Sequence, residues 1–409
     1  MSVDYEELHD QRKERLNRAY SLRIPDRVPV TGVSGFFAAA YCGISHRENL
    51  DDYEKSSRAA IKTSVDFGAD TATEGGGGLG VLPLALGLMK DYGGLVSSSV
   101  NGKIHDILGV RYGRFPGREL PDDKPFQFIG QEFMKPDEYD ELIEDPRKFI
   151  VERLLPRSMR SLERPGSPEA MAALVKFGEE SRRRAEYSEK TSEDLRRLGF
   201  PIFPSGFSYA PLDLIGDYMR DIKNVLLDCY RMPEKVKEAS EAVLGLIIEM
   251  AEITARVVPE GTRVFIPLHL NEYFSPKQYN EFYWPTLKEV CTELIKLGLV
   301  PNIFYEGYHD AHLETILELP KGKTISRFEK TDLRRAKEII GGHSCIIGGP
   351  PPSLFMGTPT KVEEYVKDLL EDLKPGGGFI LSPSVSIPSN ARPENVHAMV
   401  NAVKKYGVY

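Results

Sequence analysis

Apolar and polar positions follow two periods along this chain. Short runs rich in β-branched and aromatic residues, each closed by Gly, Pro or a polar cluster, occupy 27–35, 69–74, 200–208, 262–270, 300–307, 323–330, 344–350 and 376–383. Such runs predict strands. Most are followed by stretches with apolar residues three and four apart, the period of a helix buried along one face. Ser275-Pro276 sets a capping serine before a proline at the first helical position, and helical spacing then runs from Tyr279 to Leu297, where Gly298 stops it. Thr358-Pro359 repeats the device ahead of Val362, Tyr365, Val366, Leu369 and Leu370. Repeated strand, loop and capped helix predict βα units, and the fold expected is α/β: a single (β/α)8 TIM-type barrel.

Two stretches exceed a minimal barrel. A charged segment from Tyr5 to Tyr20 predicts an N-terminal helix that flanks or plugs the barrel. Residues 75–195, between the second and third predicted strands, hold a glycine run at 75–78, an aromatic and proline-rich stretch at 112–133 and then a highly charged helical region. The expectation is one domain over 1–409 with 75–195 as an inserted cap. The glycine run lacks a following Gly-Lys-Ser/Thr and an acidic residue at the ribose-binding offset, so neither phosphate-loop nor dinucleotide fingerprint is met. A hinge, or a loop letting backbone approach a ligand, is the expected use.

Composition narrows the partners. With 41% hydrophobic and 28% charged residues the chain can bury a large core. A net charge of −8 with both signs interspersed argues against nucleic acid or an anionic membrane as the main partner. No apolar run approaches the roughly 18–20 residues of a membrane span, and the first 15 residues are polar rather than signal-like, so a cytoplasmic location is expected. Cys42, Cys229, Cys291 and Cys345 share no metal-binding spacing and predict isolated, mostly buried thiols.

In a barrel of this type chemistry sits where strands end. The fourth predicted strand ends in His269, the fifth in Glu306 and the sixth in Glu329, which places an imidazole and two carboxylates on neighbouring exits. These groups suit a mixed nitrogen and oxygen metal site, zinc being one candidate, or general acid–base work. The plain alternative is that Glu306 and Glu329 pair with Arg327, Lys330 or Arg334 and tie strands together. His309 is a second-choice ligand, and His312 is expected at the surface. Phe207, Tyr209, Tyr273, Phe304, Tyr305 and Tyr308 are numerous enough near the exits to line a pocket for a flat ligand, although core packing explains any one of them.

A set of ordered motifs resembles the uroporphyrinogen decarboxylase family. It includes Ser275-Pro276-Lys277-Gln278-Tyr279 with Phe282-Tyr283-Trp284-Pro285, then Ile347-Gly348-Gly349-Pro350-Pro351, Gly357-Thr358-Pro359, Gly377-Gly378-Phe379-Ile380 and Pro393-Glu394-Asn395-Val396; upstream, Ser205-Gly206-Phe207 and the stretch from Tyr230 to Val236 also fit. True decarboxylases of the family carry an arginine-rich motif near the first strand, whereas residues 30–40 here contain no arginine. The thiol-methylating members bind zinc through a His-x-Cys pair and a later Cys; those positions here are Phe304, Glu306 and Val385. The resemblance therefore implies the corrinoid-dependent methyltransferase branch, in its ether-cleaving (O-demethylase) form. It further implies transfer of the methyl group of a methoxylated aromatic compound to the cobalt of a corrinoid (cobalamin) on a partner protein. Glu306 and His269 would then be catalytic, with zinc possible at His269, Glu306 and Glu329. Phe207, Tyr209, Tyr273, Phe304 and Tyr305 would bind substrate, and a homodimer is expected. A decarboxylase or lyase acting on another carboxylated substrate, and a non-catalytic ligand-binding barrel, stay open as alternatives.

Overall fold

Six of the predicted runs form parallel strands in the computed structural model, which describes residues 4–72 and 101–409. Two short antiparallel strands come first in the chain, β1 (Gly113–Arg114) and β2 (Gln127–Phe128). The parallel strands are β3 (Ser205–Phe207), β4 (Arg263–Leu268), β5 (Val300–Tyr305), β6 (Ile325–Phe328), β7 (Cys345–Gly348) and β8 (Phe379–Leu381). Helices alternate with them, so the fold is α/β.

The first predicted strand is much shorter than its apolar run. It reduces to a parallel bridge between Val30 and Leu381, with Thr31 N–H donating to Leu381 and Leu381 N–H donating to Pro29, each at 2.9 Å. Pro29 has no N–H to extend the ladder, and Gly32 turns the chain at φ 81°. The second run is described only to residue 72; there Asp70 N–H donates to Val30 at 2.8 Å. Residues 73 and 74 and the glycine run at 75–78 lie outside the described residues. Among the described residues, then, the eight-stranded ladder of the sequence reading is present in six strands and one bridge.

The chain divides into two compact units: 1–75, 187–203 and 302–409 form the first, and 76–186 with 204–301 the second. In the first unit β5 pairs with β6, β6 with β7 and β7 with β8, all in parallel register. The N-terminal helix Tyr5–Tyr20 is capped by Asp4, whose carboxylate accepts from the N–H groups of Glu6 and Glu7 at 3.1 Å. Its inner face buries Leu16 and Ala19 together with Arg12 and Arg15. Arg12 donates to the Gly199 carbonyl at 2.8 Å, and Arg15 meets Asp70, which is fully buried. Asp70 accepts from Arg15 Nη1 at 2.7 Å, from both terminal nitrogens of Arg27 at 2.8 Å and from Val30 N–H at 2.8 Å. Two guanidiniums and a backbone donor thus satisfy one buried carboxylate.

The second unit holds β3 and β4 in parallel register, Ser205 opposite Arg263 and Phe207 opposite Phe265. It also holds β1 and β2 and most of the segment expected as a cap; the charged region of that segment folds as the helix Pro168–Arg197, of which this unit holds the residues up to 186. The helix predicted from Tyr279 begins at the Ser275 cap, where Ser275 Oγ accepts from Gln278 N–H and the Gln278 side chain accepts in return. It widens to a π-helix over Tyr279–Tyr283 before continuing as Trp284–Lys296. Pro285 accounts for the widening: it cannot donate to the carbonyl of Glu281, and its ring crowds that position. Among the described residues no helix is long and apolar enough to cross a membrane.

Candidate active site

The exit of β4 gathers an imidazole and two buried carboxylates. After Leu268 the chain leaves the strand, and His269 and Leu270 turn their backbone N–H groups onto Asp213, at 3.1 and 2.9 Å. Asp213 lies on the helix Pro211–Ile215, fully buried, and also accepts from the Tyr283 hydroxyl at 2.5 Å. One carboxylate therefore shapes the strand exit by receiving three donors. Burial nevertheless raises its pKa to about 7, with the charge of Asp217 adding to the rise and the imidazole of His269 opposing it.

Asp217 stands one turn further on, in the π-helix Gly216–Arg220. Its Oδ2 lies 2.5 Å from His269 Nδ1 and also accepts the hydroxyl of Tyr209, which is itself 3.5 Å from the same ring nitrogen. The carboxylate side chain is 1% exposed and the imidazole 28% exposed. A buried acid thus backs a histidine that reaches toward solvent, an arrangement that orients an imidazole for proton transfer or for ligation. Tyr209 is fully buried, and desolvation with the nearby Asp217 charge holds its phenol well above the usual range, so it serves as a donor.

Aromatic rings surround this pair. Phe207 and Tyr209 lie 5.8 Å apart, Tyr209 and Tyr218 6.0 Å, and Tyr209 and His269 6.1 Å. From β2, Phe128 meets Tyr218 edge to face at 5.5 Å, and Tyr112, just before β1, does so at 5.2 Å. Of the residues expected to bind substrate, Phe207 and Tyr209 belong to this set. Tyr273 is in the same unit and 55% exposed.

The other expected site residues lie in the first unit. Glu306, just past the end of β5, is half-buried. Glu329 accepts from Gly307 N–H at 2.7 Å, so it braces the turn after β5, where Gly307 adopts φ 66°. Phe304 lies beneath the guanidinium of Arg327 at 5.2 Å, and Tyr305 is fully buried and stacked on Phe328 at 5.2 Å. His309 is buried beside Tyr305, with ring centroids 4.1 Å apart. Burial, with a smaller contribution from His312, drives its pKa well below the ordinary imidazole value, so this ring is neutral. His312 corrects the sequence expectation: it is buried, because the short helix Asp310–Glu318 turns it inward against His309 rather than to solvent. Of the arginines and lysine weighed as partners for Glu306 and Glu329, Arg334 is engaged by Asp368 and Asp372.

His269 lies in the second unit and Glu306 and Glu329 in the first. Among the described residues no group of three or more His, Cys, Asp or Glu side chains is placed to hold a metal ion. Among the described residues the four cysteines form no disulfide; Cys229, Cys291 and Cys345 are buried, as their isolated positions predict, and Cys42 is half-buried. Sequence reasoning missed Asp213 and Asp217. The signal was available: two acids four apart inside the apolar run from Pro211 to Met219, which a helix must either bury or expose together.

Parallel strands with interleaved helices define an α/β fold, and comparison with known proteins fixes the family. The Uroporphyrinogen decarboxylase (URO-D) family pattern matches residues 162–406, and the chain belongs to that family. A uroporphyrinogen decarboxylase from Idiomarina loihiensis is 30% identical over 174 residues, 41% of this chain and 48% of the relative. Another from Pseudoalteromonas translucida is 26% identical over 136 residues, 32% of this chain and 38% of the relative. The chain thus spans less than half the length of these two curated relatives. A methyltransferase from Methanosarcina mazei shares the fold with a TM-score of 0.61 over 97% of this chain and 98% of its own, at 16% identity.

Proposed function

We propose that this chain is a corrinoid-dependent methyltransferase that demethylates a methyl ether, in the first instance a methoxylated aromatic compound. The observation that carries the reading is the part-exposed imidazole of His269 backed by the buried carboxylate of Asp217. Cleaving an aryl methyl ether releases a phenolate, a poor leaving group unless its oxygen is protonated or stabilised as the bond lengthens. An imidazolium set against a buried carboxylate is such an acid: it gives one proton to the departing oxygen. The corrinoid, carried by a separate protein, supplies the cobalt that accepts the methyl group. The rings of Phe207, Tyr209 and Tyr218 suit a flat aromatic ligand. The fold shared with a protein named a methyltransferase adds support.

Zinc enters this proposal only as an alternative acid, with His269, Glu306 and Glu329 as its expected ligands. That donor set is not assembled among the described residues, so no step is drawn through it. The relatives named as uroporphyrinogen decarboxylases suggest a second activity, removal of carboxyl groups from a polyanionic tetrapyrrole. Residues 30–40 offer no arginine to such a substrate, and the guanidinium of nearby Arg27 is committed to Asp70. A homodimer in the cytoplasm remains part of the proposal by resemblance.

The test is a demethylation assay with purified protein, cobalt(I) cobalamin and a panel of methoxylated aromatics, with metal content measured on the same sample. Phenol release that depends on the protein is the expected result, and none from any ether would overturn the proposal. Glu306, kept as the second catalytic residue, gives a sharper version. Glu306→Gln should lower turnover by about 10²-fold or more, the scale of a lost acid–base or electrostatic group, with an unchanged unfolding transition.

A further inference from the structure

The π-helix at Gly216–Arg220 has no local cause of the usual kind. Two other π segments each run directly into a proline. Ile150–Leu154 precedes Pro156, and Tyr279–Tyr283 precedes Pro285; in each case the carbonyl that the proline leaves without a donor lies inside the widened turn. No proline follows Gly216–Arg220 until Pro233. The turn ends instead at Asp221, a non-glycine residue held at φ 70°, a backbone state that costs on the order of 1 kcal/mol or more.

Contacts from outside the helix hold it. The Met219 carbonyl accepts from the N–H groups of Phe133 and Met134, each at 2.8 Å. The buried guanidinium of Arg220 donates to Asp228 at 2.7 Å, to Glu132 at 2.6 Å and to the Met134 carbonyl at 2.7 Å. Between these anchors and the helix before it, the widened turn carries one side chain to the strand exit. That side chain is Asp217, whose Oδ2 meets His269 Nδ1 at 2.5 Å. π-helical turns recur at functional sites because they re-aim a side chain that an α-turn would point elsewhere.

We infer that Asp217 is a positioning residue: it accepts the Nδ1–H of His269, fixes the ring's tautomer and orientation, and leaves Nε2 as the nitrogen through which the imidazole acts. Tyr209 belongs to the same device. Its hydroxyl donates to the same Oδ2, so that oxygen receives two donors and acts as an acceptor. The structural part of the inference stands on this geometry; its catalytic consequence rests on the reading of His269 as the acid in ether cleavage.

The experiment begins with the full chain labelled with ¹⁵N-histidine. Two-bond proton–nitrogen correlations assign each ring's tautomer, and His269 is identified by the signals lost in His269→Gln. Wild type should show a protonated Nδ1 at His269 with its proton shifted far downfield. In Asp217→Asn that proton signature should vanish, and Tyr209→Phe should retain it. In the demethylation assay Asp217→Asn should lower kcat by about 10²-fold with KM within about threefold, as for loss of a group that acts only as the bond breaks. Asp217→Glu should recover part of the loss. A bare Nδ1 with a protonated Nε2 in wild type overturns the inference without any variant, so a failure of Asp217→Asn to fold leaves it decidable. An unchanged spectrum and kcat in Asp217→Asn also overturns it. If the protein demethylates nothing while the Nδ1–H signature is present and depends on Asp217, the positioning role is upheld and the ether-cleavage reading alone falls.

Discussion

Two buried carboxylates in this chain keep opposite company. Asp70 in the first unit meets two guanidiniums and a backbone N–H, and its neighbours Arg15 and Arg27 are largely enclosed with it. Asp217 in the second unit meets a phenol and an imidazole, with no guanidinium on either oxygen among the described contacts. Arginine is always charged, so the Asp70 cluster behaves as a clamp between the N-terminal helix and the first strand-like segment. Histidine changes charge near neutrality, and the imidazole beside Asp217 is open to solvent on one side. Burial alone does not separate structural from functional acids; the partner's chemistry and exposure do.

The comparison breaks most visibly if Asp70 is neutralised. Asp70→Asn leaves two guanidiniums facing an amide in a closed space, and a broken buried ion pair costs about 3–5 kcal/mol. Urea denaturation should record a loss of that size. Asp217→Asn, measured in parallel, should shift stability far less while removing most of the turnover. Equal losses of stability in the two variants would mean that Asp217 is as structural as Asp70.

A smaller effect should sharpen the role of Asp213. Its pKa is raised from 3.8 to about 7, chiefly by burial. The folded state therefore holds its proton through a range where the unfolded chain has lost it, so the native form binds more protons between about pH 4 and 7. Stability from this group is present below that window and declines as pH rises through it. Denaturation of wild type and Asp213→Asn across the window should show the wild-type advantage shrinking with rising pH. An advantage that grows instead would show that the donors from His269, Leu270 and Tyr283 outweigh burial and hold the carboxylate ionised. The smallest effect is expected at Glu329. Glu329→Gln keeps an oxygen for Gly307 N–H, and the change in stability should stay within about 1 kcal/mol, the scale of one hydrogen bond.

Much of the fold was legible because strand formation here follows continuous apolar runs and helix starts follow Ser-Pro and Thr-Pro pairs. Helix Tyr5–Tyr20, the caps at Ser275 and Thr358 and strands β3 to β8 all fall where the pattern places them. The first run misled because apolarity does not reveal missing donors, and Pro29 and Gly32 shorten it. The site was legible in part. His269 stood out as a polar residue at a strand exit, but its partners come from a helix more than fifty residues earlier in the chain, as the 52-residue separation from Asp217 shows. Strand-exit reasoning does not reach such residues. His312 was misplaced because a three-residue spacing does not say which side of a short helix faces inward.

The widened turn at Gly216–Arg220 also has a meaning for how this chain tolerates change. A π-turn is an α-turn with one residue added, so the approach of Asp217 to His269 depends on chain length as well as on residue identity. Removing one residue from that turn would let the helix close into its ordinary form and draw the carboxylate away, with every side chain of the pair still present. Relatives aligned across this turn can therefore keep both residues and lose the pair through a gap of a single position, and alignments of the family should be read for insertions here as closely as for substitutions.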